Sequence, residues 1–180
     1  MVDNLLAQTF TATCPNETWL INLTCVPNAE GWLYLAGVKD LYTCEVVGHA
    51  MGARMMTDLV SRALVMAVWV KHPRPGLMHH SDRDSQYCAQ DYQDQLRQFG
   101  MTASMSRRGD CHDNALMESF RGTLKNELVQ HRRYETRKQV QREITECIDI
   151  FYNRQRRHSK LGNRSPAAFA QQWARQQLAA

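Results

Sequence analysis

Long apolar runs are absent from this sequence. None of its hydrophobic stretches approaches the ~18 consecutive residues that a membrane-spanning helix needs. The N-terminal stretch MVDNLLAQTF lacks the basic-then-apolar order of a secretion signal. Internal repeats and low-complexity segments are also absent. We therefore expect a cytoplasmic, bacterial-type protein that has no membrane partner.

Paired cysteines with the spacing of a zinc site are missing as well. The six cysteines, at positions 14, 25, 44, 88, 111 and 147, form no CxxC pair. In a chain without a secretion signal they are expected to be free thiols. His79, His80, Cys111 and His112 form adjacent pairs instead of the spaced ligands of a typical zinc site. A structural zinc ion is therefore not expected.

Charge is present but unevenly distributed. The 180 residues carry a net charge of +4, and 43% of them are hydrophobic, which suits a single globular domain. Residues 131–164 contain ten Lys and Arg against four acids, a local net charge of +6 that leaves −2 for the rest of the chain. This asymmetry favours a polyanionic partner for the C-terminal third, with a solvated, charge-rich helix as the alternative.

Periodicity predicts strands in the first half of the chain and mainly helices in the second. Short alternating or apolar runs predict strands at 19–26, 32–39, 43–51, 77–82 and 101–106. Apolar residues three and four apart predict helices that begin near 57, 90, 114, 136 and 165. Thr57 is the predicted N-cap of the first helix, and Ser165 is that of the last, followed by Pro166. The order βββαβαβα, followed by further helices, predicts a mixed α/β sheet covered by helices.

Two carboxylates stand at positions suited to metal-dependent phosphoryl transfer. Asp82 is predicted to follow a strand, where functional side chains of such sheets commonly lie. Glu118 is predicted to share a polar helix face with Asn114, Arg121 and Lys125. Hard divalent cations prefer oxygen ligands on rigid elements, and 35 residues separate Asp82 from Glu118. A loop carboxylate and a helix-surface ion pair with Arg121 are the structural alternatives.

Several long blocks of the sequence resemble one family. They are NLLAQTFTATCPN, GWLYLAGVKDL, HHSDRDSQY, SMSRRGDCHDNALMESFRGTLKNEL, RRYETR and FYNRQRRHSKLGNRSPAAF. Together they resemble the catalytic domain of DDE transposases of the insertion-sequence-three family, relatives of retroviral integrases, whose second Asp and Glu stand 35 residues apart. The resemblance implies a ribonuclease-H-like α/β fold: a mixed five-stranded sheet with its first three strands antiparallel, helices on both faces, and a C-terminal helical extension. The implied division is an N-terminal extension at 1–17, an integrase catalytic core at 18–130, and a basic helical part of the same domain at 131–180.

The resemblance also implies an activity, namely DNA cleavage and strand transfer during transposition and integration. Family members use three carboxylates to bind two Mg²⁺ (or Mn²⁺) ions, activate water to nick the transposon end, and direct the freed 3′-hydroxyl at a target phosphodiester. By position, Asp82 is the second carboxylate and Glu118 the third, and both are the predicted metal ligands. The predicted DNA-binding residues are Arg121 and Lys125 on the Glu118 helix and, in the basic run, Arg154, Arg156, Arg157 and Lys160.

The first carboxylate of the family pattern is missing. The frame of Trp, two residues, Asp, one residue and Thr begins here at Trp19 and ends at Thr24, so Asn22 occupies the position of the catalytic aspartate. An amide offers a neutral oxygen where two metals need a charged bridging ligand. We therefore expect weak cation binding and impaired activity. A buried amide satisfied by neighbouring backbone is the alternative for Asn22, and Asp40, which ends the next strand, is expected to be a poor substitute ligand.

Other departures from the family pattern point the same way. Asp84 stands where the family usually has glycine, and Asp110 and His112 stand where it usually has Asn and Trp. With Asn22, and with a start at Met1 that omits the family's upstream helix-turn-helix portion, they indicate a truncated, decaying copy.

Three functional hypotheses follow from these observations. The first is an impaired transposase catalytic domain, the second a non-enzymatic DNA-binding or interaction fragment that co-assembles with intact transposase, and the third a ribonuclease-H-like nuclease. The expected partners are DNA at transposon ends and targets, further copies of the chain on DNA, and an upstream-frame helix-turn-helix protein of the same element. The expected location is the bacterial nucleoid.

Overall fold

Five strands form one mixed sheet at the centre of the molecule. The computed structural model describes residues 2–6, 11–107, 115–126 and 132–179, apart from the side chains at 115, 116 and 118. The strands are β1 Thr18–Asn28, β2 Gly31–Asp40, β3 Val46–Gly52, β4 Met78–Ser81 and β5 Thr102–Met105. Their order across the sheet is β3-β2-β1-β4-β5. The strands β1 to β3 pair antiparallel, and β4 and β5 run parallel to β1. The predicted five-stranded mixed sheet with three antiparallel strands is confirmed.

Helices cover both faces of this sheet. The described residues form the α-helices α1 Thr57–Lys71, α2 Ser85–Cys88, α3 Gln90–Gln98, α4 Ala115–Leu124, α5 Arg137–Glu146 and α6 Pro166–Leu178. The α5 helix continues into wider π-helical turns over Cys147–Gln155, and a single 3₁₀ turn follows at Ser159–Leu161. Among the residues that the structure describes, no helix is long and apolar enough to cross a membrane.

Local hydrogen bonds explain where the elements differ from the sequence prediction. The predicted N-cap of α1 is wrong: Met56 is the N-cap, without a side-chain hydrogen bond, and Thr57 is the first helical residue. The third strand begins at Val46 instead of 43, because the backbone N and Oγ1 of Thr43 donate to Asp40 Oδ1, at 2.7 and 2.9 Å, and close a turn. Ser165 is confirmed as a cap, since its Oγ accepts from the backbone N of Ala168 at 3.4 Å.

Two apolar clusters lie on the two faces of the sheet. The first includes Trp19 and Ile21 of β1, and α1 and α3 cover it. The second includes Leu20 and Val26 of the same strand, and α4 and α5 cover it. Alternate residues of β1 therefore point to opposite faces, as the period-2 pattern predicts. The second cluster contains residues from all three predicted segments of the chain, and the division at 17 and 130 stays a prediction.

Candidate catalytic site

Asn22 lies on β1, and Asp82 directly follows the neighbouring strand β4. The parallel pairing of β1 with β4 places Leu20 opposite His80. Asp82 comes two residues after His80, just as Asn22 comes two residues after Leu20, so it stands just beyond the end of β4 near the level of Asn22. On the other side of β1, Asn22 pairs with Gly37 of β2. The C-terminal end of β4 therefore lies beside β1, close to the level of Asn22.

Helix α4 packs over this level of the sheet and carries Glu118. Asn22, Gly37 and Arg121 line one very small cavity, together with Leu23, Thr24, Leu35, Met117 and Phe120. A Cβ added at Gly37 would lie 3.5 Å from the Phe120 ring, an ordinary van der Waals distance, so α4 packs directly against this position of β2. Glu118 belongs to the same helix, one turn before Arg121. Its side chain and the whole of Asn114 lie outside the described residues.

The Asn22 side chain is half-buried. Among the described residues it makes no hydrogen bond, and the nearby Thr24 Oγ1 is buried without a partner. No described hydrogen bond therefore supports the alternative in which neighbouring backbone groups satisfy the Asn22 amide. Two polar groups on one strand thus face the α4 side of the sheet, and no described residue is a hydrogen-bond partner for their oxygens.

Asp82 occupies the start of the loop that follows β4. Its Oδ1 accepts a hydrogen bond from the backbone N of Asp84 at 3.1 Å, which orders the turn. Asp84 has a φ of −64°, so this position requires no glycine. Burial raises the pKa of Tyr87 well above its usual value, and the negative charges of Asp82 and Asp84 act in the same direction. The turn thus holds the carboxylates of Asp82 and Asp84 near the buried hydroxyl of Tyr87.

Asp40 has a structural role. Its carboxylate is almost fully buried and accepts from the backbone N atoms of Asn16 at 2.7 Å, Tyr42 at 3.1 Å and Thr43 at 2.7 Å. Burial raises the pKa of Asp40, and these hydrogen bonds oppose that rise. Asp40 pairs with Trp19, three residues before Asn22, and does not line the cavity. These hydrogen bonds give Asp40 a structural role that needs no bound metal ion.

The basic run of the C-terminal part lies on the same face as α4, at a distance from Asn22. Tyr152 packs edge-on against Phe120 of α4, with ring centroids 5.0 Å apart, and the guanidinium of Arg156 lies 5.9 Å from the Tyr152 centroid. The Lys160 ammonium donates to the carbonyl of Leu41 at 3.3 Å. Leu41 is four residues beyond Gly37, or roughly 13 Å along the strand. Arg154 and Arg157 are exposed, and Arg121 and Lys125 are half-buried.

The described donor atoms do not assemble a complete metal site. In the described ranges, no three His, Cys, Asp or Glu side chains lie close enough together to hold a metal ion. Cys14, Cys25, Cys44, Cys88 and Cys147 are free thiols. Asp110, Cys111 and His112, which the sequence singled out, lie outside the described residues.

A residue that the sequence did not single out, Ser106, lies in the row formed by Asn22 and Asp82, that is, close to the same level across neighbouring strands. The β4–β5 register pairs Ser81 with Met105, and the backbone N of Ser106 donates to the Ser81 carbonyl at 2.9 Å. Ser106 therefore follows at the level of Asp82, and its Oγ contacts His80 Nε2 at 3.1 Å. The alternation of Ser104 and Ser106 in the predicted strand was the only sequence signal for this row.

Comparison with known proteins identifies relatives over most of the chain. Two integrase core domain models match residues 12–111 and 99–166. The insertion element IS600 uncharacterized 31 kDa protein of Shigella sonnei is 58% identical over 94% of this chain and 62% of its own length. The transposase for IS904 of Lactococcus lactis is 45% identical, covering 92% and 66% respectively. The transposase InsF for IS3A of Escherichia coli is 41% identical, covering 93% and 58%. The chain thus spans about three fifths of the length of these curated relatives.

A solved structure shares the fold at low sequence identity. The HTLV-2 integrase catalytic core domain, in a trimeric form in complex with magnesium, superposes with a TM-score of 0.65 over 89% of this chain and 99% of its own, at 12% identity. Its likeness supports the ribonuclease-H-like fold. The matches to the family models and to transposases of insertion sequences confirm the resemblance seen in the sequence. This chain belongs to the integrase core domain family, within the transposases of the insertion-sequence-three type.

Proposed function

We propose that this chain is the catalytic core portion of a transposase that cuts and joins DNA strands during transposition and integration, and that Asn22 impairs it. The observation that carries the proposal is the meeting of three elements. Helix α4, which carries Glu118, packs over β1 at the level of Asn22, and Asp82 follows the neighbouring strand β4; this packing supports a site shared by the three positions. A site built from these three positions would place oxygen ligands on rigid elements, as phosphoryl transfer requires.

The cation that suits this site is Mg²⁺ or Mn²⁺, held weakly by Asp82 and Glu118. Magnesium is often bound through one or two carboxylates together with substrate phosphates. The donors fit one such ion but not a bridged pair, because Asn22 contributes no negative charge. A bound ion would neutralise phosphate charge and lower the pKa of its water. The chain's own contribution is to hold the Asp82 turn in place and to keep α4 packed over β1.

The proposed substrate is DNA, at transposon ends and at target sites. Arg121 and Lys125 on and just after α4, and Arg154, Arg156, Arg157 and Lys160 in the basic run, would contact phosphates on one face of the molecule. Such contacts position DNA but do not read its sequence. Assembly with further copies on DNA, an upstream helix-turn-helix partner of the same element, and a cytoplasmic, nucleoid-associated location belong to the same proposal.

A second function is favoured by the amide at position 22. If no productive cation binds, the chain still offers its basic face to DNA and can occupy transposon ends together with intact transposase. Divalent-cation dependence separates the two functions. DNA binding that is equal in Mg²⁺ and in EDTA, without any cleavage, is the outcome of the second one.

The Asn22→Asp variant tests the proposed function. We expect it to bind Mn²⁺ more tightly in calorimetric titration. We also expect its Mg²⁺-dependent nicking of labelled end DNA to increase by about two orders of magnitude or more, because a charged ligand replaces a neutral one. Asn28→Asp, on the same strand, adds the same charge away from the cavity and serves as the matched control. Equal cation affinity and equal cleavage in native chain and Asn22→Asp would refute the lost-ligand proposal.

A further inference from the structure

A short N-terminal segment, residues 2–6, docks against strand β5. The backbone N of Met105 donates to the Asp3 carbonyl at 3.1 Å, and the Leu6 side chain is buried in the second apolar cluster. The backbone N atoms of Leu5 and Leu6 both donate to Ser104 Oγ, at 3.0 and 3.3 Å. Ser104 is itself almost fully buried. The segment therefore delivers two donors to a single buried hydroxyl.

The same hydroxyl contacts a fully buried histidine. Ser104 Oγ lies 2.9 Å from Nδ1 of His80. A serine hydroxyl has two acceptor lone pairs and one hydrogen. Because Leu5 and Leu6 occupy both lone pairs, the hydroxyl hydrogen must point at the third neighbour, His80 Nδ1. That ring nitrogen is consequently an acceptor and carries no hydrogen.

The assignment at Nδ1 fixes the other side of the ring. A neutral imidazole has one hydrogen, so it resides on Nε2 and is donated to Ser106 Oγ at 3.1 Å. With its oxygen accepting from His80, Ser106 has its own hydroxyl hydrogen available for a different acceptor. Ser106 stands at the level of Asp82, on the face where α4 packs. The direction of the hydrogen bonds at Ser106, accepting from His80 and donating elsewhere, is thus set by hydrogen bonds that begin at Leu5 and Leu6. We call this direction the polarity of Ser106.

We propose that the docked segment 2–6, acting through Ser104 and His80, makes Ser106 an obligatory hydrogen-bond donor beside Asp82. Ser106 is itself almost fully buried, so its acceptor is an oxygen enclosed at this row, such as a bound water, and not a phosphate oxygen of DNA. Ser106 and His80 are positioning residues, and their link to the candidate site rests on the proposed function. The hydrogen-bond polarity itself does not depend on DNA and is measured without it.

The histidine tautomer is the direct test. Long-range ¹H–¹⁵N spectra of the full chain, labelled on histidine and recorded without DNA at one fixed neutral pH, distinguish the two ring nitrogens. The His80→Gln variant assigns the signal by its disappearance. We expect Nε2 of His80 to carry the hydrogen. A ring that is protonated on Nδ1 overturns the proposal, whatever the DNA activity of the chain.

Removal of one donor tests the connection to the N-terminal segment. Leu5→Pro deletes the backbone N–H, and Leu5→Ala, at the same half-exposed position, retains it. In Leu5→Pro we expect the population of the Nδ1-protonated tautomer to rise about fivefold, the effect of one hydrogen bond of typical strength. Leu5→Ala should match the native spectrum. Identical tautomer populations in the two variants would show that residues 2–6 do not set the polarity of Ser106.

Discussion

Lys39 is a buried cation in the second apolar cluster. Its side chain is 3% exposed, and its ammonium lies 5.7 Å from the ring centroid of Tyr152. The pKa of Lys39 is lowered to about 8, chiefly by burial; Cys44 opposes this shift, and the positive charges of Lys160 and Arg156 contribute to it. Because a lysine in the unfolded chain keeps the ordinary pKa of 10.5, the folded state binds fewer protons between these two values. The free energy of unfolding should therefore rise from pH 8 to pH 10.5.

Replacement of this lysine should remove that pH dependence. Lys39→Met, of similar length but uncharged, should increase the free energy of unfolding at pH 7 by up to about 3 kcal/mol, the equivalent of the pKa shift. Urea denaturation at pH 7 and at pH 10 measures the difference. Lys138→Met, at an exposed position of α5, is the control and should change neither value appreciably. A native-like pH profile in Lys39→Met would contradict the assignment.

At the scale of elements, α1 sits directly on β3 because the contact residues are small. A Cβ added at Gly48 would lie 2.4 Å from the carbonyl O of Ala63 and 2.7 Å from Cβ of Ala67. Both alanines are fully buried on the inner face of α1. The pairing of small residues in a strand and a helix thus sets how closely the helix approaches the sheet.

Gly48→Ala should separate these two elements. We expect a loss of about 2 kcal/mol or more in the free energy of unfolding, because backbone atoms must move to make room for the methyl group. Gly122→Ala is the matched control: the added Cβ meets nothing within 4 Å, and alanine favours the α4 helix by up to ~1 kcal/mol. Chemical denaturation of both variants gives the comparison. Equal stability of Gly48→Ala and the native chain would refute the close contact.

Sequence patterns predicted these elements well where neighbours along the chain decide the structure. The alternation in 19–26 and 32–39 predicted β1 and β2, whose inner faces are both buried. The start of β3 was misplaced, because a side chain of the preceding strand, Asp40, binds the 42–43 turn. The short helix Ser85–Cys88 was not predicted either, since four residues carry too little periodicity.

At the scale of the whole molecule, the uneven charge of the chain corresponds to a basic face. The exposed Arg154 lies in the last turn of the π-helical segment that packs beside α4, Arg157 follows that segment, and Lys160 lies close to them in the chain. Each phosphate contact releases counterions, so the slope of log K against log salt counts the contacts. The proposed DNA face is therefore measurable by salt dependence, even in a chain that does not cleave.

A double variant tests this face. Arg154→Gln/Arg157→Gln should weaken DNA binding and reduce the magnitude of the salt slope by about 1.8, or ~0.9 for each phosphate contact. Arg74→Gln/Arg97→Gln removes the same charge from other exposed positions and should alter the slope little. Fluorescence anisotropy with labelled DNA at several salt concentrations provides both slopes. Equal slopes in the two double variants would mean that net charge, and not this face, binds DNA.

The sequence by itself determined the family, the order of the elements, the uneven charge, and the amide chemistry of Asn22, because these depend on residue identity and on neighbours along the chain. The tertiary structure alone decided which groups meet. His80 and Ser104 are 24 residues apart, and Leu5 and Ser104 are 99 apart, yet they share one hydroxyl. The sequence shows Lys39 only as a residue of a predicted strand, and its burial depends on contact with the distant Tyr152. Burial and hydrogen-bond polarity follow from such long-range contacts, and no local pattern encodes them.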